Sequence, residues 1–253
     1  MATTPIYTGG MPDNGTLARA LAELQASPAG SLTAPQVFAT QALVTPVLWA
    51  NRPAASANSG LVIYVSDYGI TGALLRSDGT YWKPLAPTTL ARKTGLTTGL
   101  QQTGDQVTGQ VGPIAAGVLY PGAVFSIHVA MGRDNNTDAY GSSQQFRAGT
   151  AGTIADTVFT GSNFSSVFPA GSGSLGVGID NWSMMLSATS CARCGTPSAS
   201  QSWQAGGSGA AVSTAVAIPD VTANALYFSL STTMAAQTAT KPQTGYMDLI
   251  LYP

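Results

Sequence analysis

Residues 117–131 read GVLYPGAVFSIHVAM, and this stretch decides the fold class. After the turn-forming Pro121 and Gly122, apolar side chains alternate with small or polar ones in the order Phe125, Ser126, Ile127, His128, Val129, Ala130. Successive side chains of a strand point to opposite faces, so this order predicts one buried and one outward face. It is the pattern of a half-buried strand in a β-sheet protein.

Similar runs continue to the end of the chain. Each is rich in strand-forming residues and is bounded by Gly, Pro, Asn or Ser; they are SSQQFRAG, TIADTVFTG, LGVGI, WSMMLSAT, AVSTAVAIP, ALYFSLSTT and GYMDLILYP. About eight strands over residues 107–253 predict a jelly-roll-like β-sandwich. We expect this region to close a hydrophobic core unaided.

A smaller β unit precedes the sandwich. Residues 61–69 (LVIYVSDYG) and 72–85 (GALLRSDGTYWKPL) predict a β-meander over 47–87. Asp67 and Asp78 are expected to close turns, Gly72 and Gly79 are placed where a positive φ is needed, and Trp82 supplies apolar mass. Residues 88–106 look like a linker.

Residues 1–46 are predicted to be an attachment segment with one short helix. Asn14 or Thr16 can cap LARALAELQ, whose Leu17, Leu21 and Leu24 recur at helical spacing. Such a short helix is marginal alone, so it should pack on the chain or on other copies. Since the chain has one glutamate and three lysines, exposed helix faces cannot be common elsewhere and the class is mainly β.

Composition limits the partners. Charged residues make up 8% and the formal net charge is -1, without a basic patch that could neutralise a row of phosphates, so nucleic acid is a poor partner. A weakly charged surface favours association, which predicts an oligomer. Neither a signal peptide nor a membrane-spanning run of 18 apolar residues is expected.

Two parts of the sequence resemble bacteriophage virion fibre proteins. Residues 48–53 (LWANRP), 60–67 (GLVIYVSD) and 75–85 (LRSDGTYWKPL) are similar to a small module of tail-fibre, head-fibre and minor tail proteins. Residues 117–127 and 145–149 (QFRAG) are similar, more loosely, to the start of the jelly-roll tip that follows this module.

The resemblance implies a homotrimer in the virion whose N-terminal segment attaches to other virion proteins and whose C-terminal domain projects. It implies a tail fibre or receptor-binding protein that meets a host surface glycan or protein. The alternative is a head-fibre or capsid decoration protein bound to the shell. A tail depolymerase is disfavoured, because one glutamate and one histidine leave few acid and base pairs.

Catalytic, cofactor and metal sites are not expected. His128 is the only histidine and is predicted to be a hydrogen-bonded strand residue. The sequence contains no GxSxG motif, which marks the nucleophile turn of many hydrolases. Cys191 and Cys194 form an isolated CxxC motif. The motif predicts either a pair of cysteines that holds a loop together or two free thiols, and a disulfide between them can form once the protein meets an oxidising exterior. A GxGxxG match at 171–176 and oxygen ligands at 134–138 lack the context of a nucleotide or calcium site.

Receptor contacts are predicted in the loops of the sandwich. Tyr140, Trp182 and Trp203 lie in or beside polar, Gly- and Ser-rich segments, where an aromatic ring can stack on a sugar or anchor a protein. Burial of these rings in the sandwich core is the alternative.

Overall fold

A computed structural model describes residues 46–100, 104–133, 140–159, 164–168, 177–193, 215–234 and 241–253. The chain divides into two compact units, Met1–Pro46 and Val47–Pro253. The described part is mainly β, with no helix of seven or more residues among its elements. The predicted helix of Leu17, Leu21 and Leu24 lies outside the described residues.

The second unit begins with two short 3-10 turns, Trp49–Asn51 and Ala55–Ala57. The strands described after them are β1 (Val62–Val65), β2 (Ala73–Ser77), β3 (Trp82–Pro84), β4 (Thr88–Thr98), β5 (Gly104–Ile114), β6 (Val124–Arg133), β7 (Tyr140–Gly149), β8 (Thr157–Val158), β9 (Phe164–Phe168), β10 (Val177–Ser187), β11 (Ser190–Arg193), β12 (Val216–Ala217), β13 (Leu226–Met234) and β14 (Pro242–Tyr252).

The predicted meander is the three-stranded antiparallel sheet β1-β2-β3. Asp67 accepts a hydrogen bond from the Trp49 amide at 2.6 Å, and Asp78 accepts from the amides of Thr80 and Tyr81 at 2.8 and 2.7 Å. Gly79 in the same turn has φ +91°, a region that L side chains rarely adopt. Asp78 therefore closes its own turn, as the sequence predicts, whereas Asp67 lies in the turn after β1 and holds the amide of Trp49, 18 residues earlier in the chain.

Two larger antiparallel sheets form a sandwich. The six-stranded sheet has the order β12-β11-β10-β6-β14-β4, and the five-stranded sheet has the order β5-β13-β7-β8, with β9 also paired to β7. Phe125 of β6 and Phe228 of β13 meet edge to face at 5.5 Å between ring centroids, which joins the two inner faces. The alternation predicted for β6 is confirmed, because Phe125, Ile127 and Val129 are buried in this core.

The prediction that residues 88–106 are a linker without strands is wrong. Residues 88–98 form β4, which pairs with β14, and the last predicted linker residues, 104–106, already belong to β5. The strand signal of β4 is weak because its described burial is limited to Thr88 and Leu90, while its second half is exposed. Residues 117–123, which belong to the strand-like run 117–131 of the sequence, form turns before β6 and are not part of the strand.

The small sheet and the sandwich share one core. The Trp49 indole donates to the Ala116 carbonyl at 3.1 Å, and Tyr81 stacks on Tyr120 with 5.5 Å between ring centroids. Both contacts join residues of the module 47–87 to the turns before β6. In the whole chain the small sheet therefore covers part of the apolar surface of the C-terminal region.

Candidate functional site

The outer face of the six-stranded sheet carries a row of ionisable side chains. Strand β6 lies between β10 and β14, and their registers place Asp180 opposite His128, His128 opposite Asp248 and Asp248 opposite Arg92. The row therefore crosses four strands with alternating acidic and basic groups. Cross-strand neighbours on one face lie close enough to interact directly.

An aromatic pair lies beside this row. Trp182 is opposite Ser126 and is 37% exposed, and its ring is 4.5 Å from that of Tyr252, between centroids, with 34° between the planes. Trp182 is on β10 and Tyr252 on β14, so the two rings meet across β6. They cover Ser126, which is fully buried.

A chain of hydrogen bonds connects the pair to the row. Tyr252 Oη lies 3.2 Å from Ser126 Oγ, which lies 2.7 Å from His128 Nε2, and His128 Nδ1 lies 2.5 Å from Asp180. If Nδ1 carries the proton toward the carboxylate, Nε2 is left to accept from the serine hydroxyl. We call these residues the Trp182 patch: Ser126, His128, Asp180, Trp182 and Tyr252.

Ser126, His128 and Asp180 have the order of a Ser-His-Asp triad, yet the surroundings differ from those of a hydrolase. Ser126 is fully buried and lies on a central strand that is paired on both sides, so the amides of this strand serve the sheet ladders. An oxyanion hole needs amide donors that point at the reacting atom. The hydrogen bonds here fix the position of Tyr252, and the Trp182 ring packs against the Tyr252 ring.

A second cluster completes the face. Arg92 donates from Nε and Nη2 to the two carboxylate oxygens of Asp248, at 2.8 and 2.7 Å, and the Tyr246 hydroxyl donates to the same carboxylate. The hydrogen bonds to Asp248 raise the pKa of Arg92 above its ordinary value. Burial, followed by the hydrogen bond to Asp248, raises the pKa of Tyr246. This cluster is charge-compensated and lies beside His128.

The predicted contact residues are only partly brought together. Trp182, predicted to lie in or beside a loop, lies in the middle of strand β10 on the sheet face. Tyr140 is the first residue of β7, in the other sheet. Trp203 lies outside the described residues, as do the calcium-like segment 134–138 and the GxGxxG segment 171–176.

Sequence reasoning misses the partners of Trp182. In the run GYMDLILYP, an even number of residues separates Tyr246, Asp248 and Tyr252 from one another, which indicates that they lie on one face of the strand. Nothing in the sequence placed this face beside His128, because that depends on the pairing of β14 with β6.

The remaining candidates have structural roles where they are described. Cys191 is a buried free thiol in strand β11 and not in a loop, and burial raises its pKa to about 12. Cys194 lies outside the described residues. Within those residues there is no group of three or more His, Cys, Asp or Glu side chains that could hold a metal, and no helix long and apolar enough to cross a membrane.

Comparisons of the chain with protein-family models, with curated proteins and with solved structures found no match. The functional argument therefore rests on the geometry of the described residues of the second unit and on the sequence.

Proposed function

We propose that this chain is a non-enzymatic structural protein of a bacteriophage virion, a trimeric tail fibre or receptor-binding protein that attaches the particle to its host. The Trp182 patch carries the proposal, because it presents an exposed aromatic ring on a rigid sheet, held by a hydrogen-bonded support. Exposed aromatic anchors of this kind dominate binding energies at interfaces.

The strand order supports a jelly roll for the sandwich. Four strand pairs lie side by side, and each gives one strand to each sheet: β4 with β5, β14 with β13, β6 with β7, and β10 with β9. The sequence of pairs is the same in both sheets. A long hairpin rolled into two Greek keys has this arrangement, which agrees with the tip that the sequence resembles.

Self-association into a trimer is supported by the edge of the six-stranded sheet. Strand β4 is the last strand of that sheet in the described part of the chain, and its exposed half includes Leu96. Leu100 follows it and is also exposed. Open edges with exposed apolar side chains pair readily with other chains, and the 8% charge of the sequence offers little repulsion.

Capsid decoration remains a second candidate, favoured by the surface of the small sheet. Leu74 and Leu85 are exposed there beside a hollow of about 500 Å³, and Arg76 is exposed without a hydrogen bond or ion pair among the described residues. An apolar surface with one free cation suits a contact with another virion protein.

Adsorption of phage particles to host cells tests the proposal. Particles that carry Trp182→Ala should adsorb at least about 10-fold less, since the loss of an exposed aromatic anchor costs about 2 kcal/mol or more of binding. Particles that carry Leu186→Ala are the matched control, because Leu186 is another exposed apolar residue of β10. Normal adsorption of the Trp182→Ala particles would contradict attachment through this face, and labelled protein seen only on the capsid would favour decoration.

A further inference from the structure

We infer that the Trp182 patch binds a neutral hexopyranose unit of a surface glycan. The inference rests on the proposed role in host attachment and adds the chemical class of the ligand. The patch combines an exposed indole with hydrogen-bonding side chains on a fixed backbone. Sugars need both, since they have apolar C–H faces and rims of hydroxyl groups.

The first step concerns the indole. Trp182 leans on Tyr252, and Tyr252 is tied to buried Ser126, so the exposed ring is ordered before any ligand arrives. Binding to an ordered ring loses less side-chain entropy than binding to a free one. A flat apolar ring of this kind fits the C–H face of a pyranose, and the rest of the sugar stays in water.

The second step concerns the polar rim. Asp180 is two residues before Trp182 on β10, which places the two Cα atoms about 7 Å apart along the strand. Its side chain is 40% exposed and accepts hydrogen bonds, while the His128 ring at 30% exposure lies beside it. A sugar stacked on Trp182 therefore has its hydroxyl groups within reach of an acceptor that is already oriented.

The third step concerns charge. Asp180 is the exposed acid closest to Trp182 along its strand, while the charge of the Arg92 guanidinium is compensated by Asp248, which accepts from Nε and from one terminal nitrogen. An anionic sugar would bring its charge toward the Asp180 carboxylate, and the Arg92 cation in the described part of this face is already compensated by Asp248. The electrostatics therefore favour neutral sugars over uronic acids and phosphorylated polymers.

Isothermal titration of the full-length protein with a panel of polysaccharides tests the inference. The neutral probes are dextran, mannan and galactan, and the acidic probe is polygalacturonate. We expect at least one neutral polymer to bind, and polygalacturonate to bind at least about 5-fold more weakly. Trp182→Ala should lower the affinity for the neutral polymer by about 5-fold or more, whereas Trp182→Phe keeps a ring and should lose less. Leu186→Ala should leave the affinity unchanged.

Thermal unfolding of each variant shows that the fold is intact, and Trp182→Phe keeps the test informative if the alanine variant is damaged. Absence of binding to all neutral polymers, tighter binding of polygalacturonate, or equal losses in Trp182→Ala and Leu186→Ala would overturn the inference. If no neutral glycan binds while Trp182→Ala particles lose adsorption, attachment stands and its receptor is a protein. If the glycan binds through Trp182 while those particles adsorb normally, the sugar site stands and the attachment proposal falls.

Discussion

The outer faces of the two sandwich sheets each carry an arginine bound to an aspartate, but their surroundings differ. On the five-stranded sheet the side chains of Arg147 and Asp105 are 10% and 24% exposed. On the six-stranded sheet Arg92 is 41% exposed and Asp248 is 2% exposed. One pair is closed off, while the other leaves its cation at the surface.

The difference comes from a loop. The segment between β7 and β8 folds over the five-stranded sheet, and the Arg147 guanidinium donates to the carbonyls of Ile154 and Asp156 at 2.7 and 2.9 Å. It also donates to Ser231 Oγ at 2.9 Å. The pair on the six-stranded sheet makes no such loop contact among the described residues. The covered pair therefore holds the loop on its sheet, whereas the face that carries Arg92 and Asp248 is open among the described residues.

The largest loss of stability is expected from removing β4, the edge strand of the six-stranded sheet. A fragment that starts at Gln101 lacks β4, and with it Arg92, so buried Asp248 loses its cationic partner and the core loses Leu90 and the module's Trp49. We expect this fragment to be insoluble or to show no cooperative unfolding by circular dichroism.

A fragment that starts at Val47 is its control, because it keeps the whole second compact unit and should unfold cooperatively. Cooperative melting of the shorter fragment would mean that β4 and the small sheet are accessories, as the sequence alone suggests.

Arg147→Met should cause the next largest loss. It removes a buried cation, leaves the Asp105 carboxylate without its strongest partner and releases the loop at Ile154 and Asp156. Breaking a buried ion pair in this way costs about 3 kcal/mol or more. Urea unfolding measures it, with Arg147→Lys expected to recover only part of the loss because lysine lacks the forked donors. A loss below about 1 kcal/mol would show that the loop does not depend on this side chain.

These comparisons also show where sequence reasoning stops. The mainly β class follows from local alternation, and β6 and β14 are visible because one face of each strand is strongly apolar. Strand β4 is missed because it is an edge strand with little buried surface and a threonine-rich, exposed end. Edge strands are held by pairing rather than by their own hydrophobic pattern.

The site follows the same logic. His128 is recognisable as an outward residue of its strand, and Trp182 as an aromatic in a polar segment. Their meeting requires β10 and β14 to flank β6, and this strand order pairs segments that are far apart in the sequence. The single-residue alternation of each strand carries no information about which strand becomes its neighbour.

Asp248→Asn should have a moderate effect. The change removes the charge that binds Arg92 but keeps the shape and one acceptor, so we expect a loss of about 1 to 2 kcal/mol in urea unfolding. Asp180→Asn on the same row is the control and should cost less than about 1 kcal/mol, because the Asp180 side chain is 40% exposed. Equal losses would mean that the difference in exposure between Asp248 and Asp180 does not decide how much each acid contributes to stability.

The smallest effect is expected for an ion pair that is exposed on both sides. Lys83 and Asp78 of the small sheet are 2.8 Å apart, and their side chains are 42% and 36% exposed. The hydrogen bond from Lys83, followed by the Tyr81 amide, lowers the pKa of Asp78 to about 2. A carboxyl whose pKa is lowered by folding stabilises the native state above its unfolded pKa of about 3.8, and this contribution is lost as the pH falls toward 2.

Asp78→Asn removes this charge and keeps an acceptor for the turn amides of Thr80 and Tyr81. Because solvent screens the pair, we expect it to lower the stability at pH 6 by less than about 1 kcal/mol. The difference from the native chain should then shrink between about pH 4 and pH 2, where Asp78 becomes protonated. Lys83→Met tests the assigned cause, since it should weaken the same pH dependence while leaving the turn intact. A stability difference that stays constant down to pH 2 would assign the effect to the turn hydrogen bonds. The exposed ion pair would then contribute nothing measurable to stability, unlike the more buried pairs of Arg147 and Arg92.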